Sequence, residues 1–334
     1  MDYIIEIKGL KKRYKRKINK NNGIIDIFRK NKYQVFESVR GIALQVKRGE
    51  ILGFIGLNGA GKSTTIKLLT GIIHPDEGTV NMFGLDTFKN RKKISSKIGV
   101  MFGQRSNLIW DLPFVNSLQL LKDIYNVPEK QYEESIKLAD EYLDINELMN
   151  VPVRTMSLGQ RMKCEFTAIT LHQPEVYILD EPTIGLDIII KNQINKFLKY
   201  LNEEKNCTIF LTTHDIGDVE KICQRVVVIN DGSILIDDHI DKILTNVKDT
   251  FASVTFAGED IPENFEKLNG IDILEKNKNI ARIRIDCSIN STKEIARDMI
   301  TEFEIISINV EKPDLERIIL NLYNLTKASQ EETS

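Results

Sequence analysis

Four cysteines, Cys164, Cys207, Cys223 and Cys287, are all that the 334 residues contain, and none belongs to a C-x-x-C pair. Such wide spacing suits buried small hydrophobes in a reducing compartment and gives no support to a disulfide frame or a thiolate metal site. Long apolar runs are missing too. Without about 18 consecutive apolar residues no helix is expected to cross a bilayer, no cleaved leader is expected, and any membrane function must involve another polypeptide. The chain also lacks an excess of charge of either sign, with 46 Lys and Arg against 48 Asp and Glu and a formal net charge of -2. That balance offers no general attraction to nucleic acid. Sustained heptads are absent, and Trp110 is the single tryptophan. The length allows one large core plus an appendage, so two domains are expected.

What the chain does contain is a phosphate-binding loop. Gly56, Leu57, Asn58, Gly59, Ala60, Gly61, Lys62, Ser63 and Thr64 fit G-x-x-x-x-G-K-[ST]. The apolar run Ile51 to Ile55 before them has the character of a strand buried on both faces, and Thr64 to Thr70 after them has helical spacing. The glycines let backbone N–H groups point inward around a polyphosphate, and the following helix aims its positive end at the same place. Lys62 is expected to hold the β- and γ-phosphates and Ser63 to ligate magnesium. By itself the loop specifies only a nucleoside triphosphate site.

A second apolar strand, Val176 to Leu179, ends in Asp180 and Glu181. Asp180 is placed to organise Mg2+ beside Ser63, and Glu181 to accept a proton from the water that attacks the γ-phosphate. Phosphoryl transfer needs little covalent help, so a positioned base and a neutralising metal supply most of what a protein contributes. An ordinary turn or helix cap is the bland alternative for two adjacent carboxylates. Upstream, Ser157 and Gln160 fit a capping box opening a helix from Gln160 to Leu171. With Gly159 beside it, the same helix N-terminus is also a candidate anion site.

The remaining chain alternates in the way a parallel α/β sheet requires, with strands at Thr208 to Thr213 and Val226 to Ile229 and a mostly helical insertion over residues 105–170. Residues 11–32 carry ten Lys or Arg against one acid, Asp26, around the apolar patch Ile24 to Phe28. A basic, partly apolar segment can lie in a membrane interface; a solvated insertion is the plainer reading. Past residue 245 short alternating strands and two helical stretches suggest a small α+β domain of ferredoxin-like type, followed by a polar, disordered tail over 327–334.

Taken in order, these motifs resemble the nucleotide-binding subunit of an ABC transporter over about residues 3–240. Gly56 to Thr64 matches Walker A, Val176 to Asp180 Walker B, Glu181 the catalytic glutamate, and Ser157 to Gln160 the signature motif. Gln104 matches the Q-loop, Gly185 to Asp187 the D-loop, and His214 the switch histidine. Leu158 stands where many members have a second glycine, and Ile188 where proline is frequent. The resemblance implies an α/β P-loop NTPase core, with antiparallel β and helical subdomains over residues 1–244, and an accessory α+β domain over 245–326. It implies a basic insertion at 11–34, and ATP and Mg2+ as ligands, with Gln104 joining Ser63 and Asp180 at the metal. Tyr14 resembles the aromatic that stacks on adenine, with Tyr33 and Phe36 as alternatives. It further implies a head-to-tail dimer, with itself or a related ATPase, in which two ATP molecules lie between Walker A of one subunit and Ser157, Gly159 and Gln160 of the other, with Asp187 nearby.

The stretch Gln104 to Pro113 and the signature region look like those of ATPases serving ABC-2-type exporters, at the cytoplasmic face of a membrane, and Trp110 lies where such chains meet the permease. A soluble ABC-type ATPase clamping ribosome or DNA is the alternative; those usually carry two motif sets or a long coiled coil, and this chain has one set and no heptads. Deleting residues 18–32 is expected to impair transport with a membrane partner while leaving soluble nucleotide binding intact, checked by paired transport and ATP-binding assays.

Overall fold

The computed structural model describes residues 3–17, 33–103, 106–245, 249–286, 292–311, 315–320 and 322–323. Gln104, Cys287, the apolar patch at 24–28 and the tail at 327–334 lie outside the described residues. The chain divides into two compact units, Met1–Asp238 and His239–Ser334.

The first unit opens with a long antiparallel ribbon of β1 (Tyr3–Lys17) and β2 (Tyr33–Lys47). β3 (Ile51–Gly56) and α1 (Lys62–Leu69) follow, and then β4 (Glu77–Met82) and β5 (Leu85–Asp86) complete a sheet of order β2-β1-β4-β5. The ribbon corrects one expectation: residues 11–17, counted with the basic insertion, continue β1. Their charges are answered by acids from neighbouring elements. Lys11 pairs with Glu77 at 2.8 Å, Lys12 with Asp76 at 3.1 Å, and Arg13 with Glu37 at 2.5 Å. Such exposed pairs are each worth at most about 1 kcal/mol, yet together they let a basic segment hold strand register.

After α2 (Arg91–Ser95) come β6 (Ile98–Phe102) and three helices, α3 (Phe114–Tyr125), α4 (Glu129–Leu143) and α5 (Leu158–Thr170). α5 begins two residues ahead of the expected Gln160 because Ser157 is its N-cap. The chain then alternates as β7 (Val176–Asp180), α6 (Ile188–Glu203), β8 (Thr208–Thr213), α7 (Ile216–Ile222), β9 (Arg225–Asn230) and β10 (Ser233–His239). The resulting sheet has the order β10-β9-β3-β8-β7-β6. Its inner strands are parallel and buried on both faces, which explains their unbroken apolar sequences. One core cluster joins both sheets through α1, including Ile5, Ile7 and Leu44 from the antiparallel sheet, Ile66 and Leu69 from α1, and Phe54, Ile178 and Phe210 from the parallel one.

Cys164, Cys207 and Cys223 are free and buried. Burial pushes the Cys164 thiol up to about 12 and that of Cys207 to about 11, so both behave as small hydrophobes.

In the second unit α8 (Ile240–Thr245) precedes β11 (Asp249–Phe256), β12 (Ile271–Asn277), β13 (Ile280–Asp286), α9 (Thr292–Glu302) and β14 (Ile305–Glu311). The sheet order is β12-β13-β11-β14, with antiparallel pairing throughout. A 3-10 segment, Glu263–Lys267, stands between β11 and β12. Ala252, Val254, Phe256, Phe265, Ile283, Ile295 and Met299 fill its core.

Phe54 and Phe210 meet at 5.3 Å between ring centroids on adjacent strands of the parallel sheet, both fully buried. Phe210→Ala is therefore expected to destabilise the first unit by about 3–5 kcal/mol, measurable as a shift of its chemical-denaturation midpoint.

Candidate nucleotide site

Strand register decides where the site lies. Ile55 pairs with Thr213, Asp180 with Thr212 and Phe102 with Asp180, so the carboxyl ends of β3, β8, β7 and β6 finish along one edge. Ligands of parallel sheets bind outside that edge. Gly56 to Thr64 leaves β3 there and turns directly into α1. Gly61 sits at φ 109, and a Cβ on it would fall 2.4 Å from the Ser38 carbonyl oxygen, so a glycine is required both by conformation and by the close approach of β2. Ser38 also donates its hydroxyl to Thr64 Oγ1 at 2.9 Å. The ribbon is thus fastened to the loop.

Lys62 is 5% exposed, and its ammonium donates to the Gly56 carbonyl at 2.6 Å. Glu181 Oε1 stands 3.5 Å from the same nitrogen, and Glu181 Oε2 stands 3.2 Å from His214 Nδ1. One carboxylate therefore bridges the lysine of the loop and the histidine after β8. A nearly desolvated ammonium with a single carboxylate at that distance is a fitting cradle for a polyphosphate, which carries more charge than the carboxylate can supply. Ser63, one residue on, is exposed.

Thr212 is the residue that sequence reasoning did not single out. Its hydroxyl donates to Asp180 Oδ1 at 2.6 Å and accepts from the Glu181 N–H at 3.3 Å, while its carbonyl accepts that N–H at 2.9 Å. Glu181 needs such holding. It occupies the left-handed region at φ 51, directly before Pro182. For a residue with a side chain that costs about 1–3 kcal/mol, and such strain gathers at functional positions. Nothing local in β8 marks Thr212, because the acid that its hydroxyl faces lies 32 positions earlier in the chain.

The other expected site residues fall in two places. Tyr14 stacks on Phe36, with ring centroids 5.6 Å apart and planes at 28°, and Phe36 lies two residues before Ser38 in β2. Tyr33 is exposed and pairs with Lys17 farther out along the ribbon. Ser157 and Gln160 form the full capping box, the Ser157 hydroxyl accepting at 3.2 Å and the Gln160 side chain at 2.9 Å. Gly159 has a reason beyond mobility: a Cβ there would lie 2.0 Å from Ile190 Cδ1. Leu158 leans toward Gly185, and Asp187 spends a carboxylate oxygen capping α6 through the N–H groups of Ile189 and Ile190 at 2.9 and 3.0 Å. Among the described residues no hydrogen bond or ion pair given for Ser157, Gln160 or Asp187 reaches Lys62, Glu181 or His214. Gln104 lies outside the described residues, although Gly103, just before it, donates its N–H to the Asp180 carbonyl at 3.1 Å.

A glycine loop closing on a lysine, followed across the sheet by an aspartate, a glutamate and a histidine, defines a nucleotide-hydrolysing P-loop protein. A family profile described as "ABC transporter" matches residues 39–184. The linearmycin resistance ATP-binding protein LnrL of Bacillus subtilis (strain 168) is 30% identical over 301 residues, covering 86% of this chain and 94% of that protein. The bacitracin transport ATP-binding protein BcrA of Bacillus licheniformis is 34% identical over 212 residues, 62% of this chain and 67% of that one. Among solved structures, a dimeric post-hydrolysis state of the ATP-binding cassette MJ0796 bound to ADP and Pi superimposes with a TM-score of 0.59 at 25% identity, covering 71% of this chain and 98% of that one. The chain belongs to the ATP-binding proteins of the ABC transporter family, and it is an ATPase.

Thr212→Val keeps shape and removes the hydroxyl that Asp180 and Glu181 share. The loss should cost about 1–3 kcal/mol of stability and lower the hydrolysis rate more than ATP affinity, checked by comparing kcat with the ATP dissociation constant.

Proposed function

We propose that this ATPase energises export through a separate ABC-2-type membrane permease, and that it works as a head-to-tail pair, with itself or with a related chain. The observation that carries the pairing is the divided site. Lys62, Glu181 and His214 meet at one sheet edge, whereas the capped N-terminus of α5 at Ser157 has no polyphosphate-binding partner among its contacts. Two copies in opposite orientation supply each other with the missing half. The solved dimeric cassettes among its structural neighbours support that arrangement.

In this reading Tyr14, backed by Phe36, stacks on the adenine, base–aromatic stacking being worth about 1–3 kcal/mol. The N–H groups of Asn58 to Thr64 and the Lys62 ammonium hold the phosphates. Ser63 and Asp180, with Gln104, would hold Mg2+, which supplies charge neutralisation on the phosphate oxygens. Glu181 turns from Lys62 toward the attacking water and takes its proton; His214 keeps the carboxylate in place and faces the γ-phosphate. Ser157, Gly159 and Gln160 contact the nucleotide of the opposite copy.

Export is supported by relatives named for linearmycin resistance and bacitracin transport. No helix among the described residues is long and apolar enough to cross a membrane, so a permease must carry the pathway. A contact with the permease at Trp110 is supported by that side chain's exposure, with the Arg161 guanidinium 5.6 Å from its ring centroid. A separate groove is lined by both apolar and polar side chains, among them Ile72, Phe102, Leu121, Arg91 and Asn107.

Size-exclusion chromatography with light scattering on Glu181→Gln tests the pairing. Mg-ATP is expected to convert monomer to dimer, and Ser157→Arg to abolish the conversion. A variant that binds ATP and never changes size would remove the self-paired site and direct the search to a related ATPase or to the permease.

A further inference from the structure

Lys191 stands one turn into α6 and reaches across to α7, where its ammonium lies 2.5 Å from Asp215 Oδ2 and 3.2 Å from Asp218 Oδ2. The Asp218 side chain is buried at 3% exposure and that of Lys191 is 17% exposed, while Asp215 closes the outer side of the cluster at 42%. Each carboxylate holds the neighbour of a residue to which the proposed function, on which this inference rests, gives a part in hydrolysis. Asp218 Oδ2 accepts the Thr183 hydroxyl at 2.7 Å, and Thr183 follows Glu181 by two positions. Asp215 follows His214 directly; its N–H donates to Thr213 Oγ1 at 2.9 Å, and its Oδ1 accepts the Asp218 N–H at 3.3 Å, capping α7. The Lys191 ammonium, by its hydrogen bond, holds the Asp215 carboxyl below the usual carboxylate range against partial burial.

A purely mechanical tie between two helices would need one such contact. Here one cation fixes both sides of the Glu181–His214 pair. The constraint is needed, because Glu181 occupies the left-handed region and the His214 ring is 51% exposed. Neither is held by packing alone. We propose that Lys191 is a positioning residue for ATP hydrolysis, a hub that fixes Glu181 through Asp218 and Thr183 and His214 through Asp215. Because Lys191 rides on the helix that Asp187 caps, a displacement of the Gly185 to Asp187 turn is passed to both reacting side chains of the same chain.

Lys191→Met in the full chain keeps the stem and removes the charge. Misplacing a reacting group by a fraction of an ångström costs about ten- to a hundredfold in rate. The expected result is a kcat reduced by that factor, with KM for Mg-ATP and the ATP dissociation constant changed by no more than about twofold, the mark of an interaction that matters only in the transition state. Lys191→Arg, whose planar fork can serve two carboxylates, should restore most of kcat. An unchanged kcat in Lys191→Met would overturn the proposal, as would a fall in kcat that only tracks a lost melting transition and that Arg does not rescue. Should Lys191→Met fail to fold, Lys191→Met with Asp218→Asn removes the uncompensated buried charge. That double variant is expected to fold and to remain slow; recovery of both fold and rate would show that the lysine serves structure alone.

Discussion

Parallel pairing that sets Asp180 opposite Thr212 is the constraint on which the site depends. With side chains alternating along each strand, a slip of one residue would send Thr212 to the other face of the sheet and leave Asp180 and the Glu181 N–H without their common partner. The same register carries Gly56 and Thr213 to the same edge, so the phosphate loop and the histidine are brought together by hydrogen bonds made well behind them. The residues to which the proposed mechanism gives the chemistry sit on short turns, and their support comes from four strands buried on both faces.

Much of this was legible in the residues themselves. The phosphate loop is written in consecutive positions because its work is done by consecutive backbone N–H groups, and Gly61 declares its conformation by being glycine. Asp180 and Glu181 were legible because an apolar strand that ends in two acids has few uses. Thr212, Thr183, Lys191 and Asp218 were not. Their roles arise from contacts between elements far apart in sequence, and a threonine or lysine in a mixed stretch carries no local mark of what it will face. The first seven residues of the basic stretch were misread for a related reason. Charge density suggests either a membrane-lying segment or a solvated insertion, while the acids that pair with residues 11–13, Glu37, Asp76 and Glu77, arrive from later in the chain.

Buried charge is used sparingly and in closed sets. Arg225, with Glu50 at 3.1 Å and Asp237 at 2.5 Å, secures β9 and β10 at one end of the parallel sheet. Glu165, buried on α5, accepts from the Ser106 hydroxyl and from the Asn107 N–H at 3.1 Å; burial pushes its carboxyl up while those donors oppose the shift. In each set, removing one member strands the others in a medium that solvates them poorly.

Leu158 lies toward Gly185 and Gly159 against Ile190, so the start of α5 is fitted to the turn before α6 and to the first turn of α6 itself. A leucine at the first position is accommodated by the missing side chain at the second. The two segments are thus one unit of exchange: a chimera that borrowed the signature stretch from a relative with two small residues there, while keeping this chain's own turn, would leave a gap between them, and the reverse graft would bring two side chains into collision.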